Sequence, residues 1–158
     1  MRAWVDHVAL CAAGGGYTCA VGTADTTAHF EPVEADRAQG YLAGLLRGYR
    51  RAQSGALPTY EKASMAYVER VSPADRARFA DRIVTREAAP FEPNEGAMRA
   101  ARRGFSDPWN DFTDDADAYV ALVTRGRADP FVPEDHFARW ALCLWAPLLT
   151  HKQPGVPS

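Results

Sequence analysis

Two groups of arginines are spaced so that they could meet phosphates. Arg78, Arg82 and Arg86 recur at i, i+4 and i+8, and Arg99, Arg102 and Arg103 at i, i+3 and i+4. On a helix each group makes one basic face, the arrangement that binds a nucleic-acid backbone. Acids are interspersed with both groups, and the reading as solvated surface is the stronger of the two. An acidic cluster, Asp107, Asp111, Asp114, Asp115 and Asp117, has the composition of a calcium loop. A calcium loop starting at Asp111 would put Ala116 where glycine is obligatory and Leu122 where glutamate is. The calcium reading therefore fails, and these acids read as loop and helix-start carboxylates.

The other reactive residues are scattered. His7, His29, His136 and His151 show no metal-ligand spacing. Cys11, Cys19 and Cys143 form neither a C-x-x-C pair nor a disulfide framework. They read as packing residues in a reducing, cytoplasmic compartment. A Cys143 nucleophile paired with His7 or His136 would have to be assembled by the fold alone. Nothing fits a phosphate-binding G-x-x-x-x-G-K-[ST] or a G-x-S-x-G elbow, and no metal or cofactor is expected.

The elements that would have to position these residues belong to one folded domain. The chain has 158 residues, 47% hydrophobic and 24% charged, with four Trp, six Tyr and seven Phe, which excludes disorder. A net charge of −2 supplies no global attraction to DNA or anionic lipid, so any DNA contact must be local. No apolar run approaches the roughly 20 residues of a membrane span. The N-terminal stretch is broken by Asp6 and His7, which argues against a signal peptide. There is no internal repeat.

Residues 1–13 read as a helix with Trp4, Val5, Val8, Ala9 and Ala12 on one face. It starts at Met1 without a cap, which fits a segment of a larger polypeptide as well as a frayed end. Gly14-Gly15-Gly16 ends it, and strands Tyr17–Gly22 and Ala28–Val33 follow as a hairpin. Glu34–Gln53 is the longest clear helix, with an apolar stripe of Tyr41, Leu42, Leu45, Leu46 and Tyr49. Gly40, Gly44 and Gly48 beside the stripe predict a very close neighbouring backbone.

Further helices are predicted over Glu61–Val71, from Ser72 (N-cap, with Pro73 at N1) to Thr85, over Glu95–Arg103, and over Asp117–Thr124. The last helix starts near Pro133 and carries Phe137, Trp140, Ala141, Leu144, Trp145, Leu148 and Leu149. Leu142 and Cys143 lie off that stripe, so the helix is apolar on more than one side and must be buried or face a partner. Trp140, Leu142, Cys143 and Trp145 are the candidate partner interface. Pro147 should kink this helix or begin a new turn. The domain is expected over 1–152, with a disordered tail over 153–158.

Leu42, Leu45, Leu46, Tyr49, Gly55, Leu57, Pro58, Lys62, Ser64, Ala66 and Tyr67 resemble, in type and order, the C-terminal region of RecC, the gamma subunit of exodeoxyribonuclease V. Trp4–Gly14, Tyr119–Arg127 with Ala128–Phe131, and Trp145–His151 resemble further segments of that region in the same order. Thr59-Tyr60-Glu61 departs from the aromatic, proline-rich stretch expected there. A full gamma subunit is several times longer than this chain. The resemblance implies a helix-rich α+β domain, a small sheet flanked by helices, like the PD-(D/E)xK nucleases but without catalytic residues. It implies a scaffold in an ATP-dependent helicase–nuclease of double-strand-break repair and recombination. The implied partners are RecB-like and RecD-like subunits, with DNA reached through the complex and no membrane.

An active nuclease of that kind needs an Asp on one strand and [D/E]-x-Lys on the next, to hold Mg²⁺ and activate water. Asp25 and Glu31 are the only carboxylates the strand regions offer for an active alternative. Pro32 and Val33 follow Glu31, so no Lys stands at the required offset, and Glu61-Lys62 has the wrong spacing. Gln39 and Tyr41 stand where active relatives carry a Gln/Tyr pair, with no metal site to serve. A second alternative is an unrelated helical protein-binding module.

Overall fold

Trp4, His7, Val8 and Cys11 form the inner face of the first helix, α1 (Arg2–Gly14), in a computed structural model that describes residues 2–14, 17–22, 27–85, 92–107, 109–110 and 112–153. The expected face held Trp4 and Val8 but was turned too far toward Ala9, which is exposed. The true face includes a histidine because the imidazole finds an acceptor. His7 Nε2 lies 2.9 Å from the carbonyl oxygen of Glu31. A buried polar group is tolerated once it is hydrogen-bonded.

The hairpin forms with shorter strands than expected: β1 (Cys19–Gly22) and β2 (Thr27–Phe30) pair antiparallel, with Cys19 opposite Phe30. A third strand, β3 (Lys152–Gln153), adds to β2 with Phe30 opposite Lys152 and His29 opposite Gln153. The sheet order is β1-β2-β3. Gln153 was assigned to the tail on sequence grounds and is instead a strand residue; residues 154–158 lie outside the described residues. The architecture is helix-rich α+β with a small antiparallel sheet.

The second helix, α2 (Ala35–Gln53), buries Ala38, Tyr41, Gly44 and Gly48. This corrects the expected stripe: Leu46 and Tyr49 are exposed, and the glycines lie on the buried side. The glycine face receives side chains, not another backbone. A Cβ on Gly44 would lie 2.8 Å from Ile83 Cγ2, and one on Gly48 would lie 3.1 Å from Trp140 Cζ3. Gly44→Leu is therefore expected to lower stability by about 1–3 kcal/mol, since overpacking outweighs the roughly 1 kcal/mol gain in helix propensity. Urea denaturation measures this, and a rise in stability would mean that Ile83 can swing clear.

The close backbone approach occurs elsewhere, between α3 (Glu61–Arg70) and α5 (Glu95–Phe105). A Cβ on Gly104 would sit 3.0 Å from the Lys62 carbonyl oxygen and 3.2 Å from Ala63 Cα. A side chain there would press on the α3 backbone, so glycine favours the close crossing of the two helices. Between them in sequence, α4 (Pro73–Thr85) starts as expected: Ser72 Oγ accepts from Asp75 N at 3.1 Å and donates to the Asp75 carboxylate at 2.7 Å. Asn94 caps α5 by accepting from Ala97 N at 2.8 Å.

A 3-10 turn over Asp114–Ala116 leads into the short helix α6 (Ala118–Thr124), whose N-terminus Asp117 caps through Tyr119 N and Val120 N. The last helix, α7 (Glu134–His151), runs unbroken through Pro147 and buries Phe137, Ala138, Ala141, Leu142, Trp145, Ala146, Pro147 and Leu148. It packs on α2, α3 and α4, which explains why it is apolar on several sides. Its ends anchor two aromatic clusters. Phe137 meets Tyr60, Tyr67 and Phe131 at ring-centroid distances of 4.7–6.3 Å. His151 stacks on Trp4 at 5.8 Å and meets Tyr41 edge-on at 5.8 Å. Among the described residues, no helix is long and apolar enough to cross a membrane.

Candidate functional site

The α5 arginines do not make a uniform cationic face. Arg102 lies 2.9 Å from the Asp129 carboxylate and 2.7 Å from that of Glu134, and its guanidinium stands 5.0 Å over the Phe131 ring. These contacts commit it to joining α5 to the start of α7, and its charge is already neutralised. Arg99 is exposed, with Glu95 at 3.8 Å, and Arg103 is exposed. On α4, Arg78 pairs with Asp75, Arg82 is half-buried, and Arg86 lies outside the described residues. The structure therefore leaves Arg99 and Arg103 as the outward-facing pair of the α5 group.

The candidate partner interface divides. Leu142 is 1% exposed and Trp145 5%, so both belong to the chain's own core and cannot present a surface to a partner. Trp140 and Cys143 are half-buried. Trp140 packs over Gly48, and its Nε1 donates to His136 Nε2 at 3.0 Å. That bond makes His136 Nε2 an acceptor and removes it as a base for Cys143. Burial also pushes the Cys143 thiol up, away from the thiolate a nucleophile needs. The Cys–His contact that does exist was not foreseen: Cys11 Sγ lies 3.7 Å from His7 Nε2, one turn away on α1. Its signal was the i, i+4 spacing on a helix, visible in the sequence.

Of the carboxylate pair weighed for an active nuclease, Asp25 lies outside the described residues. Glu31 is exposed just past β2, where its side chain accepts a hydrogen bond from Gln153 Nε2. Its backbone is held on both sides, the N–H donating to the His151 carbonyl at 3.1 Å and the carbonyl facing His7 Nε2. Gln39 reaches the Ala12 carbonyl at 3.4 Å, and Tyr41 OH lies 3.4 Å from His151 Nε2. Both residues thus serve packing between α1, α2 and α7. Among the described residues, no group of three or more His, Cys, Asp or Glu is placed to hold a metal ion.

Of the acids of the 107–117 stretch, Asp111 lies outside the described residues, and most of the others act as local acceptors. Asp107 accepts from Trp109 N at 3.0 Å, Asp115 from the Thr113 hydroxyl at 2.6 Å, and Asp117 caps α6. Asp114 is different: it is buried and accepts from Lys62 N at 3.0 Å and Ala63 N at 2.7 Å. It caps α3, whose own N-cap residue Tyr60 supplies no side-chain acceptor.

His151 is the titratable group most clearly shaped by its surroundings. Burial, with Arg37 nearby, holds its imidazole below the ordinary value of 6.5, while Glu31 and Asp81 oppose that shift and His7 adds to it. A depressed histidine takes up its proton more readily in the unfolded chain. Its contribution to stability is therefore complete above about pH 6.5 and is lost as pH falls through the folded value. The wild-type melting temperature should fall more between pH 7.5 and 5 than that of His151→Gln. Equal falls would remove His151 as the source.

Residues 1–72 match the family model of the RecC C-terminal domain.

The RecC C-terminal match spans α1, the β1–β2 hairpin, α2 and α3, and ends before α4. It covers 72 of the 158 residues, so Tyr119–Arg127 and Trp145–His151 lie beyond it. It does include the glycine face of α2 and the segment Gly55–Tyr67. No curated protein and no solved structure matches the chain.

Proposed function

We propose that this chain is a non-catalytic scaffold portion of a RecC-type gamma subunit in an ATP-dependent helicase–nuclease that repairs double-strand breaks. The observation that carries the reading is the family match over residues 1–72. In this reading the α+β architecture is a nuclease-like scaffold of the PD-(D/E)xK kind whose catalytic residues are absent. Its partners are RecB-like and RecD-like motor subunits, it works in the cytoplasm, and it meets DNA within the assembly. Two features of the chain support a role without chemistry. Glu31 is followed by Pro32 and Val33, so the lysine that would serve the attacking water has no position on that strand. The Glu31 carboxylate is hydrogen-bonded to Gln153.

Purified chain incubated with linear single- and double-stranded DNA and Mg²⁺ or Mn²⁺ should produce no cleavage. It should co-purify with RecB-like and RecD-like subunits when expressed with them. Cleavage abolished by both Asp25→Ala and Glu31→Ala would replace the scaffold with an active nuclease. Failure to co-purify with either subunit would remove the assembly from the reading.

A further inference from the structure

We propose that the exposed side chains Trp109, Phe112, Tyr119 and Leu122 present a docking surface for a basic, apolar segment of a partner protein, an inference that rests on the scaffold reading above. Trp109 is 94% exposed, Phe112 80%, Tyr119 81% and Leu122 65%. A single exposed apolar residue is ordinary, but four large ones within 14 residues of chain are the mark of an interaction surface. The helix α6, which carries Tyr119 and Leu122, buries none of its residues. Seven residues are too few to hold a helix by propensity alone, so it persists here through the Asp117 cap and the packing of Val120 on the core, while Tyr119 and Leu122 stay exposed.

The charge of the stretch selects the occupant. The described residues from Phe105 to Thr124 hold Asp107, Asp114, Asp115 and Asp117 and no Lys, Arg or His, although the whole chain carries a net charge of only −2. Asp114 turns inward to cap α3, whereas Asp115 and Asp117 are exposed. A second copy of this chain docking on the same face would set Asp against Asp, and a DNA phosphate would be repelled in the same way. A polypeptide with Lys or Arg beside apolar side chains matches both features, because opposite charge steers the encounter and aromatic anchors supply the affinity. Lys62 already stands 5.9 Å over the Phe112 ring, the contact that a partner cation would repeat on Trp109 or Tyr119.

The test measures binding of the full chain to purified RecB-like and RecD-like subunits over a range of salt. Trp109→Ala/Tyr119→Ala/Leu122→Ala removes exposed side chains and should weaken binding at least tenfold with the circular dichroism unchanged. Asp107→Asn/Asp115→Asn/Asp117→Asn keeps the turn and cap acceptors and should weaken binding while flattening its salt dependence. Leu46→Ala/Tyr49→Ala, on the exposed side of α2, should leave binding unchanged. Wild-type binding that survives the triple alanine variant overturns this inference and leaves the scaffold reading intact. Loss with alanine but no change with asparagine overturns the basic partner. No binding by the wild type overturns both readings.

Discussion

Trp4→Ala is expected to lower the free energy of unfolding by about 3–5 kcal/mol, the cost of emptying a large aromatic site in a packed core. The indole is buried among His7, Phe30, Tyr41 and His151, with ring-centroid distances of 5.4–6.2 Å. Those four residues come from α1, β2, α2 and α7, so the cavity would open where the two ends of the chain meet. A domain of this size has roughly 5–15 kcal/mol of stability in total, and its melting temperature should fall by on the order of 10 °C. Trp109→Ala is the control: on the exposed stretch it should change stability by less than about 0.5 kcal/mol. Similar losses for the two variants would mean that the chain ends do not pack as described.

Asp114→Ala should cost about 1–3 kcal/mol for each backbone donor it leaves without a partner, and it leaves two, Lys62 N and Ala63 N. Asp114→Asn should cost less, because the amide carbonyl still accepts from one of them. The size of the alanine effect is distinct from the net worth of the carboxylate. Burial pushes the Asp114 carboxyl above the ordinary range, and the two backbone donors only partly offset that. Its proton is therefore held more readily in the folded chain than in the unfolded one. The carboxylate's own charge contributes less stability as pH rises through the folded value, opposite in sign to Asp129, which its hydrogen bond to Arg102 holds low. Urea denaturation of both variants at pH 7 checks the order, and an alanine variant as stable as wild type would mean that water replaces the carboxylate.

The helices were legible because their signals are local. Ser72-Pro73 began α4, Asp117 began α6, and the spacing of Phe137, Ala141, Trp145 and Leu148 marked α7. What the sequence did not disclose depends on partners distant along the chain. The α2 stripe misled because glycines have no hydropathy, yet Gly44 and Gly48 are where Ile83 and Trp140 enter. The multi-sided apolar character of α7 fitted burial or an interface equally well, and three neighbouring helices resolve it as burial for Leu142 and Trp145. The Asp114 cap had no local mark, since the helix it serves lies 51 residues earlier. Arg102 read as part of a basic face, solvated or phosphate-binding, because Asp129 and Glu134, which neutralise it, come from later elements.

The third strand sets the order in which the molecule can assemble during synthesis. Residues 1–72 hold α1, the hairpin, α2 and α3, yet Trp4 is covered by His151, β2 is completed by Lys152 and Gln153, and Gly48 is filled by Trp140. A ribosome that has released only the family-matched segment has released a half-built core. That nascent segment must wait, with its aromatic residues wet, until the last helix leaves the exit tunnel. Closure is then a late, concerted event in which α1 and α7 come together over a loop of more than a hundred residues, the kind of long-range pairing that makes folding slow.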